Sequence, residues 1–136
     1  MIYAKIGSAL YVGWGLLHLK AAYDEFWLAA TLDPGLVQGK LNQGAWDLLF
    51  FALASILIGI ILNWKNDQRG YWMNLALVSA ADLGFIVFVL IPGYVTFFPG
   101  ILGPVFWISA AIFTTLGIRS NPAHVAEAPL TSPDSR

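Results

Sequence analysis

AWDLLFFALASILIGIIL, residues Ala45–Leu62, decides how this chain must fold, because it holds a single charge, Asp47, at its leading end. An apolar run of that length, rising about 1.5 Å per residue as a helix, reaches across roughly 30 Å of hydrocarbon. Inside hydrocarbon each N–H and C=O must be satisfied within its own segment, so the run is predicted to be a helix. The next eight residues, NWKNDQRG (Asn63–Gly70), are polar, and YWMNLALVSAADLGFIVFVLI (Tyr71–Ile91) is apolar again. So short a turn makes the two helices antiparallel neighbours.

Working outward, Ile2–Ala30 and Ile101–Ile118 are the other two apolar stretches of spanning length. The expectation is an all-α integral membrane protein, four transmembrane helices in an up-down-up-down bundle over residues 1–119. Residues 120–136 are Ser-, Pro- and Ala-rich and are expected to form a polar C-terminal tail. Composition agrees: of 136 residues 58 % are apolar and 11 % charged, against about 25 % charged in soluble domains. Trp46, Trp64, Tyr71, Trp72, Tyr94 and Trp107 fall near the ends of the later spans, as an aromatic belt does.

The first stretch begins like a signal peptide, with Lys5 before an apolar run. It then carries His18, Lys20, Asp24 and Glu25 where a signal needs uninterrupted apolar residues. It is therefore expected to stay as a span. Lys5, Lys65, Arg69 and Arg119 flank one side of the four-span plan, while the other side has Lys40 in its first loop and no basic residue in Tyr94–Gly100. Both termini are accordingly expected in the cytoplasm, the chain lying in a cell or inner membrane. Asp33-Pro34-Gly35 opens a long outer loop, expected over Thr31–Gly44.

Net charge is −1 and cysteine is absent. The first removes the basic footprint of a nucleic-acid partner, and the second removes thiolate catalysis, zinc–thiolate sites and iron–sulfur clusters. No cofactor and no metal site are expected, since one membrane histidine is a thin ligand set and His124 lies in the tail.

Ionisable groups near the bilayer centre cost about 2.5–3.5 kcal/mol and mark candidate sites. Counting from the inner ends, His18 lies about 20 Å deep, Asp82 about 18 Å and Asp47 about 24 Å. Asp24 and Glu25 sit higher, at about 28–30 Å. Three helices thus bring titratable groups towards the middle and outer half. His18, Asp47 and Asp82 are the candidate catalytic residues, and Trp14, Glu25 and Trp46 the candidate ligand-binding residues.

Each has a plainer reading. His18 can be a neutral imidazole bonded to a neighbouring helix, and Asp82 can be paired with His18 or Lys20. Asp47 can sit in a first helical turn that Asn42 or Gln43 caps. Lys20–Asp24 is expected to be a local ion pair on the face opposite His18 and Glu25. Asn74 with Trp72 is read as interfacial anchoring, and Gly13, Gly15, Ser55 with Gly59, Ala80 with Gly84, and Gly100 with Gly103 as small residues for close helix approach.

Four short spans with buried His, acidic and Trp residues resemble the plan of the emopamil-binding-type sterol isomerases and of the DoxX-like proteins. The likeness is one of architecture and rests on no motif. Resemblance to the first group implies a lipophilic substrate. Two functional expectations stand. One is an accessory or structural subunit of a larger membrane assembly, which suits the short loops, the aromatic rims and the lack of a catalytic motif. The other is an intramembrane enzyme or binder acting on an isoprenoid- or sterol-like molecule through a His/Asp pocket. The partners expected are the lipid bilayer, a membrane protein or a second copy of the chain, and a lipophilic small molecule.

Overall fold

A computed structural model describes residues 1–120, all of whose regular structure is helical. The expected polar tail and His124 lie outside the described residues. Helix α1 runs Ile2–Ala30, α2 Leu36–Ile61, α3 Gln68–Phe85, α4 is the single turn Phe97–Gly100, and α5 runs Leu102–Arg119. A 3-10 turn, Asn63–Lys65, follows α2, and α3 widens into a π-helical turn at Ile86–Leu90. The four long helices include three long and apolar enough to cross a membrane, within Leu36–Lys65, Gln68–Leu90 and Phe97–Arg119. α1 is long enough, but its polar residues set it apart from those three.

The boundaries of α1, α3 and α5 fall within a few residues of the expected spans, whereas α2 begins at Leu36 and not at Ala45. Leu36–Gly44 contains no proline, and its two glycines each cost a helix only about 1 kcal/mol. Its polar residues conceal the helix from a hydropathy reading. Gln38 even closes the end of α1, its Nε2 donating to Ala29 O and Leu32 O at 3.2 Å each, where terminal carbonyls lack helical partners. The long outer loop therefore shrinks to the residues around Asp33-Pro34-Gly35. Asp47 lies well inside α2 and is not a first-turn residue, so the capping role expected of Asn42 or Gln43 does not arise.

The turn before α3 forms as its residues dictate. Asn66 takes the left-handed conformation, and the Asp67 carboxylate caps α3 by accepting from Arg69 N at 2.8 Å. Hydrogen bonds from Arg69 hold Asp67 below the usual carboxylate range.

α1 packs against both α2 and α5. Along α1 the partners on α2 are Gly59 for Ser8, Ser55 for Tyr11, Ala52 for Gly15 and Gly44 for Glu25. On α5 they are Gly117 for Ala4, Thr114 for Gly7, Phe106 for Gly13 and Gly103 for His18. In both series the partner numbers fall as α1 numbers rise, so the neighbours run in opposite directions. Small residues let these backbones approach. A Cβ on Gly7 would stand 2.5 Å from Thr114 Cγ2 and 2.8 Å from Thr114 N. Gly84 differs from the expectation: nothing lies within 4 Å of the position of its Cβ, because that side of α3 faces outwards.

α3 closes the ring by packing on α2 and α5. Asn74 Nδ2 donates to Ser55 O at 3.2 Å, Trp107 Nε1 to Ser79 Oγ at 2.9 Å, and Tyr71 and Thr115 share a hydroxyl bond of 3.2 Å. Asn74 is wholly buried, so it is a helix-to-helix link and not the interfacial anchor expected beside the exposed Trp72. Trp107 likewise ties α5 to α3 and packs on the core instead of marking a rim.

Candidate functional site

The inward face of α1 is a column at helical spacing: Ala4, Ser8, Tyr11, Trp14 with Gly15, His18 and Ala22, all buried. α3 presents Asn74, Val78 and Asp82, each four residues apart and each without solvent exposure. The two columns meet at Asp82. Trp14 donates its indole N–H to Asp82 Oδ2 at 2.8 Å. The His18 ring stacks on the Trp14 indole, centroids 3.8 Å apart and planes at 23°. His18 is 8 % exposed, Trp14 and Asp82 0 %.

The hydrogen bonds of His18 determine its chemistry. Nδ1 lies 2.8 Å from Trp14 O, and a carbonyl oxygen can only accept, so Nδ1 carries a proton. That leaves Nε2, the nitrogen 3.8 Å from Asp82 Oδ1. The distance is too long for a hydrogen bond, and Oδ1 has no other partner. A neutral imidazole and an ionised carboxylate would face each other there as two acceptors. A proton on either atom would remove that conflict.

The pocket around them is filled. A methyl at Gly103 would lie 3.0 Å from His18 Cε1 and 3.3 Å from Asp82 Oδ1. Gly103, buried at the start of α5, thus packs directly on the pair.

Of the residues singled out in the sequence, the structure brings together Trp14, His18 and Asp82. Asp47 is exposed on α2. Glu25 packs against Gly44, close enough to Asp47 for the two charges to interact, and neither reaches His18 in the contacts seen. Trp46 is 64 % exposed and lines a shallow apolar depression with Leu49, Phe50 and Leu53. Lys20 is not a partner of Asp82. It pairs with Asp24, Nζ to Oδ2 at 2.6 Å, on the outward face. Among the described residues no three His, Asp or Glu side chains gather as a metal site requires.

The sequence reading overlooked Trp14 as the donor to Asp82, and it overlooked Tyr11, Ser55 and Thr114 as buried polar groups. The signal was available for α1, where small and aromatic residues recur every three or four positions from Ala4 to Ala22. No family model, no curated protein and no solved structure matches this chain. The likeness to the two membrane families therefore stays one of plan.

Proposed function

We propose that the chain is a polytopic membrane protein, crossing up-down-up-down with both termini cytoplasmic, that serves as an accessory or structural subunit of a larger membrane assembly. One observation carries the structural part. The Trp14–His18–Asp82 cluster, the natural seat for chemistry, has α5 closely packed on it at Gly103, where a methyl group would stand 3.0 Å from His18 Cε1 and 3.3 Å from Asp82 Oδ1. Close packing on that side suits the cluster to holding helices together more than to admitting a substrate. The cluster instead binds α1 to α3 across the bundle, as polar side chains do between membrane helices.

The test is photo-crosslinking in native membranes from one exposed position on each long helix: Leu16, Leu57, Ala80 and Ile112. A subunit gives a discrete adduct with another membrane protein from at least one position. Lipid adducts alone from all four would overturn the reading.

A second reading, an intramembrane enzyme or binder of a lipophilic molecule using His18 and Asp82, is favoured by the approach of His18 Nε2 to the unpartnered Asp82 Oδ1 at 3.8 Å. An acid–base couple of this kind is suited to proton transfer.

A further inference from the structure

A second feature lies at the other end of α1, away from Asp82. A groove of about 400 Å³ runs between α1 and the end of α2, lined by Ser8, Ala9, Val12, Ile60 and Trp64. It exists because its floor is made of small groups. Ser8 turns its hydroxyl away to Gly59 O at 2.6 Å, and Ala9 offers one methyl. Val12, Ile60 and Trp64 supply apolar walls.

One mouth of the groove is cationic. Lys5 stands one helical turn before Ala9, its Nζ 5.5 Å from the centre of the Trp64 ring. Lys65 follows Trp64 in the chain. Arg69 is taken up by Asp67 at 3.0 Å, and the charge of Lys65 also acts on Asp67, whereas Lys5 has no carboxylate within ion-pair distance among the described residues. The site is thus apolar along its length, aromatic at its rim and positive at one end.

We infer that this groove holds one acyl chain of an anionic phospholipid, with the phosphate set against Lys5 and Lys65. The polarity of the site matches that of the lipid end for end, and Trp64 sits where indoles settle at the membrane–water boundary. The unpaired Lys5 ammonium, with Lys65 following Trp64, selects a lipid of net negative charge over a zwitterionic one, each basic side chain near such a surface weighing about 1 kcal/mol. A partner helix fits worse. With a diameter of about 10 Å and a pitch of about 5.4 Å, a single turn already displaces about 400 Å³. The inference rests on the membrane reading above and adds to it a ligand class and a place.

The test is native mass spectrometry of the full chain, released from micelles holding equal amounts of phosphatidylglycerol and phosphatidylcholine. The wild type is expected to retain one phosphatidylglycerol in preference to phosphatidylcholine. Lys5→Gln should reduce that retention about fivefold, the equivalent of about 1 kcal/mol. Ala9→Phe, which fills the groove from an exposed position, should abolish it. Val87→Phe, on the exposed side of the π-helical turn, should leave it unchanged. Equal retention of both lipids, retention of neither, or Lys5→Gln and Ala9→Phe behaving as wild type would overturn the inference. Carbonate-washed membranes report separately on the membrane reading: the wild type and all three variants should stay in the pellet, whichever lipid is bound.

Discussion

Asp82 shows at the scale of one residue how a carboxyl group wholly buried in a helical bundle is tolerated. Among the described residues the one basic side chain near it is His18, whose Nε2 lies 3.8 Å from Oδ1, and the strongest contact of Asp82 is a neutral donor, the Trp14 indole at 2.8 Å. Trp14→Phe keeps an aromatic ring but removes the donor and part of the buried indole, leaving both Asp82 oxygens without a hydrogen bond and a cavity beside them, at a cost of at least about 1–3 kcal/mol. Asp82→Asn keeps the volume and an oxygen for Trp14, and its effect on stability should stay below about 1 kcal/mol. Equilibrium unfolding in mixed micelles measures both. The order Trp14→Phe worse than Asp82→Asn marks a hydrogen-bonding clasp, and the reverse order would mean that the charge itself matters and would strengthen the acid–base reading.

At the scale of the element, the informative residues are glycines that look alike in the sequence and sit in opposite surroundings. Gly7 touches the backbone of α5, at Thr114 N and Ala110 O, and a backbone cannot swing aside as a side-chain tip can. Gly7→Ala should therefore push α1 from α5 and cost about 1–3 kcal/mol. Gly84 opens on empty space, so Gly84→Ala should gain helix propensity and stabilise by up to about 1 kcal/mol. Thermal unfolding of the two variants side by side decides the matter, and equal destabilisation would show that Gly84 is a packing glycine after all. α2 adds a lesson of the same kind. Its first turns were invisible to hydropathy because Gln38, Lys40, Asn42 and Gln43 are polar, yet those residues are helical and one of them closes α1.

For the whole molecule the open quantity is direction through the membrane. The proposed topology puts the turn before α3 on the cytoplasmic side and the aromatic loop before α5 on the other. The chain has no cysteine, so Gln68→Cys and Thr96→Cys, both at exposed positions, are single reporters. An impermeant thiol reagent added to intact cells should label position 96 and leave position 68 unlabelled until the membrane is opened. Labelling of both from outside would sink the topology, while leaving the packing of α1 on α2 and α5 untouched.

The sequence by itself determined the helical class, the extents of α1, α3 and α5, the polar turn before α3, and the identity of the two faces of α1. These depend on hydrophobicity along the chain, on helical period and on turn-forming residues, all of which are local. Only the tertiary structure decided that Asp82 is met by Trp14, that Glu25, Asp47 and Trp46 stay apart from His18, and that Gly84 faces outwards while Gly103 presses on the pair. Those outcomes depend on how each helix is rotated about its own axis. In a bundle of apolar helices that rotation is set by which small residues let two backbones approach and which polar side chains find a partner on another helix, neither of which can be read from one segment alone.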